Sequence, residues 1–145
     1  MGPFPNPYAK TGEVDGYGTN GLFTDFLPAL GGESAAVLTE QTSVTFTGPD
    51  GHEQTVRAVL ATIKDNGYLD LRRLHGVGIG TAYAFCLVES DAEQRVYCGF
   101  GANDTSRVWV NGEMIHSEPH PPSNKRWSHE FRFISRRALT GCWSR

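Results

Sequence analysis

Hydrophobic and polar positions alternate along this chain in short runs, and long periodic runs are missing. "TSVTFTGPDGHEQTVRAV" (residues 42–59) sets β-branched and aromatic residues on either side of Pro49-Asp50-Gly51, which predicts strand, turn, strand. "GYLDLRRL" (67–74) alternates Tyr68, Leu69, Asp70 and Leu71 as a strand does. "TAYAFCLVES" (81–90) and "QRVYCGFGA" (94–102) are two longer strand runs joined by Asp91-Ala92-Glu93. "RVWVNGEMIH" (107–116) places Asn-Gly between two alternating arms, the strongest short-range hairpin signal. Helical spacing is confined to "GGESAAVLTEQ" (Gly31 to Gln41), enough for a turn or two. Short strands at close spacing, with turn chemistry between them, predict an all-β fold, an antiparallel β-sandwich or jelly roll. No repeat and no linker divides the chain. Residues 1–145 are read as a single domain whose last strand, about residues 130–145, is atypical.

The Asn-Gly hairpin has a predicted register. A type I′ turn at Asn111-Gly112 pairs Val110 with Glu113, Trp109 with Met114, Val108 with Ile115 and Arg107 with His116. Alternation then puts Val108, Val110 and Ile115 on one face, the natural core face. Arg107, Trp109, Met114 and His116 share the other, an indole between a guanidinium and an imidazole. Two readings stay open. Trp109 packs as scaffold, or it is a stacking platform with polar rim groups, the chemistry that grips a sugar face.

Composition narrows the function classes. Hydrophobic residues make up 39 %, aromatics 11 % and charged residues 20 % of the 145, an ordinary balance for a folded chain with one core. Net charge is −3 and no Lys/Arg-rich run exists, which argues against nucleic acid and anionic membrane as partners. No apolar stretch approaches the roughly 20 residues of a membrane span. No signal peptide is read after Met1. Cys86, Cys98 and Cys142 match no zinc spacing. By count, Cys86 and Cys98 face each other across the Asp91–Glu93 turn, as buried thiols or as a cross-strand disulfide.

Five stretches in order carry a resemblance: "GPFPN" (2–6), "DFLPALGGE" (25–33), "YLDL" (68–71), "AYAFCLVES" (82–90) and "VYCGFGANDTSRVWVNGEMIH" (96–116). Together they resemble the galactose-binding-like jelly-roll modules of bacterial secreted glycoside hydrolases, over about Gly2 to His116. The resemblance implies a β-sandwich that binds carbohydrate or props a neighbouring catalytic domain, extracellular or periplasmic in the parent protein. A PA14-type sandwich shares a similar hairpin, in which a paired-Asp motif holds calcium and sugar. This chain departs there, with Asn103-Asp104 followed by Thr105 rather than Gly. Asn keeps an oxygen ligand and drops a charge.

Both ends depart from the family pattern. The family's first strand starts several residues before "GPF", where this chain has Met1, so the N-terminus reads as truncated. The family closes with a strand of the type L-K-x-G-x-N-x-L-L-x-K, where this chain has "FRFISRRALTGCWSR". One codon choice for that stretch, read two nucleotides out of frame, encodes "PFHLKAGANRLLVK". The tail therefore reads as frame-shifted, in a gene fragment of environmental DNA. A sheet edge left by the missing strand needs cover from the new tail or from a second chain, which makes a homodimer or a swapped terminal strand the expected assembly.

The remaining chemistries are weighed residue by residue. In an extended "HSEPH", His116, Glu118 and His120 lie on one face and could meet one zinc or copper ion, with Asp104 and His129 near. The plainer reading is a polar loop stiffened by Pro119, Pro121 and Pro122. Ser90, Ser106 and Ser117 sit in no nucleophile elbow. Glu33, Asp70, Glu89 and Asp104 are carboxylates available for glycoside hydrolysis, each with an equally good turn or surface role. "GVGIG" (76–80) is a connector without the strand-to-helix context of a phosphate cradle. "NPYAKTGEVDGYGTNG" (6–21) is a long loop that either caps the core rim with Tyr8 and Tyr17 or walls a ligand site beside Trp109 or Trp127.

Two functions follow. One is a non-catalytic carbohydrate-binding or accessory module using Asn103, Asp104, Arg107, Trp109, His116, Tyr17 and Trp127, with no cofactor required and calcium or zinc as the candidate ions. The other is a small hydrolase on the same sandwich, metal-assisted through His116, His120 and Asp104.

Overall fold

The computed structural model describes residues 1–5, 19–65, 67–76, 80–102, 104–119, 129–135 and 138–143, with 19–20, 72, 95–98 and everything from 129 onward described by backbone alone. The chain is mostly strand with almost no helix, arranged in small antiparallel sheets, so it is all-β.

In chain order the strands are β1 (Phe4–Pro5), β2 (Ser43–Thr47), β3 (Glu53–Arg57), β4 (Gly80–Thr81), β5 (Ala84–Glu89), β6 (Gln94–Phe100), β7 (Ser106–Val110), β8 (Glu113–Glu118), β9 (His129–Ser135) and β10 (Ala138–Trp143). Two short helices, α1 (Thr19–Leu22) and α2 (Leu71–His75), and a 3-10 turn at Pro28–Leu30 complete the elements. One sheet has the order β5-β10-β7-β8, and the other three are the pairs β1-β4, β2-β3 and β6-β9.

The β2–β3 hairpin forms where Pro49-Asp50-Gly51 predicted it. Gly51 takes φ +82°, its N–H donates to the Gly48 carbonyl at 2.9 Å, and the His52 N–H donates to Asp50 Oδ1 at 3.1 Å. Across the hairpin the Thr45 and Thr55 hydroxyls meet at 2.9 Å on the exposed side. On the other side Val44 is buried, with Phe46, Val56 and Ala58 packed beside it.

Three local expectations are corrected. "GYLDLRRL" holds no strand: Asp70 accepts from the Arg73 N–H at 3.1 Å and so caps α2, an N-cap role that the alternation hid. "GGESAAVLTEQ" contributes one turn, within the turn or two read from its spacing, in which the Ala35 and Ala36 N–H groups both donate to the Gly32 carbonyl. The Thr19–Gly21 end of the long loop is helical, in α1. Strands β5 and β6 do not form a hairpin with each other: β5 pairs with β10 over six residues and β6 with β9 over seven. Their connection is closed by side chains, with Ser90 Oγ donating to the Ala92 carbonyl and accepting from Gln94 Nε2, both at 2.6 Å. Such a link carries the chain out of one sheet into another. Cys86 accordingly lies opposite Gly141 and Cys98 opposite Phe131, and Cys86 is a free thiol.

The atypical tail has a place in the fold. Strand β10 lies between β5 and β7 and pairs with both, so this segment closes the sheet from within. The core gathers Met1, Phe4, Leu27, Ala36, Val44, Tyr83 and Trp109, the last from β7 of that sheet. Phe4 is its hub, with ring centroids 5.1 Å from Phe26, 5.3 Å from Phe46 and 5.7 Å from Tyr83. Full burial of one such ring contributes about 1.5–3 kcal/mol.

Candidate functional site

The Asn-Gly hairpin forms as a type I′ turn. Asn111 takes φ +52° and Gly112 φ +85°, as that turn demands. Val110 pairs with Glu113 and Trp109 with Met114. Beyond that point the register shifts by one: Val108 lies opposite His116 and Arg107 opposite Ser117, with Ile115 as the extra residue of a bulge. A one-residue shift moves every later side chain to the opposite face. The expected pairs Val108–Ile115 and Arg107–His116 are replaced, and the shared Arg107–Trp109–His116 face does not form.

Each of those residues has its own surroundings. Trp109 is 6 % exposed and belongs to the main core, so its ring packs and offers no open face. Val108, on the other side of the same strand, is 2 % exposed, so β7 is covered on both faces here. His116 turns toward β7's second face, where Nε2 lies 3.4 Å from Ser106 Oγ and the ring stands edge-on to Phe100 at 5.7 Å. Ser106 is 2 % exposed, which makes its hydroxyl a partner for the imidazole and not an accessible nucleophile.

Arg107 leads to a cluster that sequence reasoning did not assemble. Its guanidinium carbon lies 4.6 Å from the centroid of the Phe23 ring, and Phe23 is 58 % exposed. Arg107 Nη1 is 3.6 Å from Glu33 Oε2, with the two side chains 16 % and 9 % exposed. Glu33 Oε1 accepts from the Tyr83 hydroxyl at 2.7 Å, and that hydroxyl oxygen accepts from the Phe26 N–H at 3.3 Å. Asp25 holds the loop in shape, accepting from the Leu27 N–H at 2.7 Å through Oδ1 and from the Glu33 N–H at 3.4 Å through Oδ2. Gly31 ends the 3-10 turn at φ +89°, the left-handed cap that lets the chain double back toward Glu33.

The electrostatics of this edge are uneven. Burial, the largest influence, pushes the Glu33 carboxyl above its ordinary value, and Asp25 adds to the rise, while Tyr83 and Arg107 oppose it. Chemically the cluster is an aromatic ring open on the surface, backed by a guanidinium that a buried carboxylate pairs, with the exposed Asp25 two residues along the chain. "DFLPALGGE" marked Asp25 and Glu33 as a motif. Phe23 and Tyr83 carried no local signal, because they meet Arg107 and Glu33 only through the tertiary fold.

The remaining site residues are placed as follows. Asp104 is half-buried beside the buried Thr105, and His116 and Glu118, two apart after the bulge, share a face of β8. Asn103, Tyr17, Trp127 and His120 lie outside the described residues. Among the described residues no three His, Cys, Asp or Glu side chains converge as a metal site needs. Of the other carboxylates, Asp70 caps α2 and lies 3.7 Å from Lys64 Nζ, and Glu89 is exposed at the end of β5. The Cys86 residue is exposed as a whole, yet its thiol has neighbours enough that desolvation pushes its pKa up. Compared with known proteins, the chain matches no family model, no curated protein and no solved structure.

Proposed function

We propose that this chain is a non-catalytic carbohydrate-binding or accessory module of a larger secreted protein, with the antiparallel sandwich or jelly-roll architecture of galactose-binding-like modules. The observation that carries the reading is the Phe23 ring, open to solvent and backed by Arg107, Glu33 and Tyr83. A sugar presents an apolar C–H face and a rim of hydroxyls. An exposed ring takes the first, and the exposed Asp25 carboxylate, two residues along the chain, accepts from the second. The buried bonds behind the ring hold it in place before any ligand arrives, which lowers the ordering cost of binding. In this reading Arg107 supports the ring from behind, and the aromatic partner is Phe23 in place of Trp109.

Depletion assays on insoluble polysaccharides test this. The intact chain should be retained, and Phe23→Ala should lose retention while the far-UV spectrum is unchanged. Retention unaffected by Phe23→Ala overturns the site, and no retention on any polysaccharide overturns the reading. One observation favours the competing hydrolase through His116, His120 and Asp104: His116 and Glu118 share a face. Stoichiometric zinc in the purified protein, with turnover lost on chelation, would put that reading first.

A further inference from the structure

We infer that the Phe23 platform selects neutral sugars and rejects those bearing a carboxylate or sulfate. The inference rests on the carbohydrate reading above and adds the charge class of the ligand. Arg107 is the guanidinium at the platform, and it is engaged twice, with Nη1 3.6 Å from Glu33 Oε2 and Cζ 4.6 Å from the Phe23 centroid. Its side chain is only 16 % exposed and its Nε is buried with no hydrogen-bond partner among the described residues, so little of the fork faces an incoming anion. Two carboxylates stand against that one cation. Glu33 pairs with it from below, and Asp25 sits in the same loop as an exposed residue, its oxygens already accepting the Leu27 and Glu33 N–H groups.

A neutral pyranose meets no penalty from this arrangement. Its hydroxyls donate to the rim carboxylate while its C–H face covers the ring. A uronate laid in the same way brings a third negative charge beside Asp25 and Glu33, and Arg107, the guanidinium at the ring, is already paired with Glu33. A like charge at that range weakens binding by about tenfold.

The test is retention of the whole chain on xylan, mannan, galactan and cellulose against polygalacturonate and alginate, at low and moderate salt. The expected result is retention on at least one neutral polymer, with the acidic ones about tenfold weaker. Glu33→Gln frees Arg107 and should narrow that gap, with the gained polygalacturonate binding lost again as salt is added. Asp25→Asn removes the rim charge and should act in the same direction, so a folding failure in one variant leaves the other to decide. Polygalacturonate or alginate held as tightly as any neutral polymer overturns the charge selection while the module reading stands. A gap that neither folded variant narrows also overturns it. Retention on no polymer removes the carbohydrate reading itself.

Discussion

The Tyr83 hydroxyl donates to Glu33 Oε1 at 2.7 Å, and this bond ties the buried core to the edge that carries Phe23. It opposes the rise in the Glu33 pKa without cancelling it. Below the ordinary carboxyl value of 4.5, Glu33 is protonated both folded and unfolded, and its contribution to stability is fully present. As pH climbs through the raised folded value, the folded chain must charge a half-buried group, and that contribution is lost. Thermal melts across this window should show Glu33→Gln with a flatter dependence on pH than the parent. Superimposable pH profiles would show that Glu33 is not the group responsible.

Trp109 and Phe23 should respond in opposite ways to truncation. Trp109→Ala opens a cavity in the main core at a site 6 % exposed, and should cost about 3–5 kcal/mol. Phe23→Ala removes an exposed ring and one cation–π contact, and should change stability by no more than about 1 kcal/mol. Urea titrations of both variants measure the contrast. A Trp109→Ala variant as stable as the parent would mean the indole is not core.

His116 and Ser106 form a pair whose members should not be removed singly. His116→Ala leaves the buried Ser106 hydroxyl without its imidazole partner, at about 1–3 kcal/mol. Adding Ser106→Ala removes the orphaned group and should recover part of that loss. Denaturant midpoints of the two single variants and the double variant give the coupling. Strict additivity would show that the 3.4 Å contact contributes nothing.

Cys86 should be available as a thiol. It faces Gly141 in the sheet, so a non-reducing peptide map after alkylation of the folded chain should find Cys86 labelled. Because burial pushes its thiol up, labelling should be slow at neutral pH and speed up under alkaline conditions. Recovery of a Cys86–Cys98 disulfide peptide would contradict the β5–β10 register.

Local chemistry was legible in the residues themselves. Asn111-Gly112 forces positive φ at two successive positions, and Pro49-Asp50-Gly51 supplies its own turn bonds, so both hairpins could be read from a few neighbouring side chains. The all-β class followed from the same alternation and turns. Choices among distant partners were not legible. Residues 84–89 could have paired with 94–100 as well as with 138–143, since backbone ladders carry little sequence information. One extra residue at Ile115 turned His116 away from Trp109, and no local propensity marks where a ladder slips by one. Asp70 fits a strand's polar face or a helix cap equally well until its neighbours are placed. The candidate site belongs to this second kind. Phe23, Glu33, Tyr83 and Arg107 come from four separate parts of the chain, and only packing around Phe4 and Trp109 brings a ring, a guanidinium and a carboxylate within reach of one another.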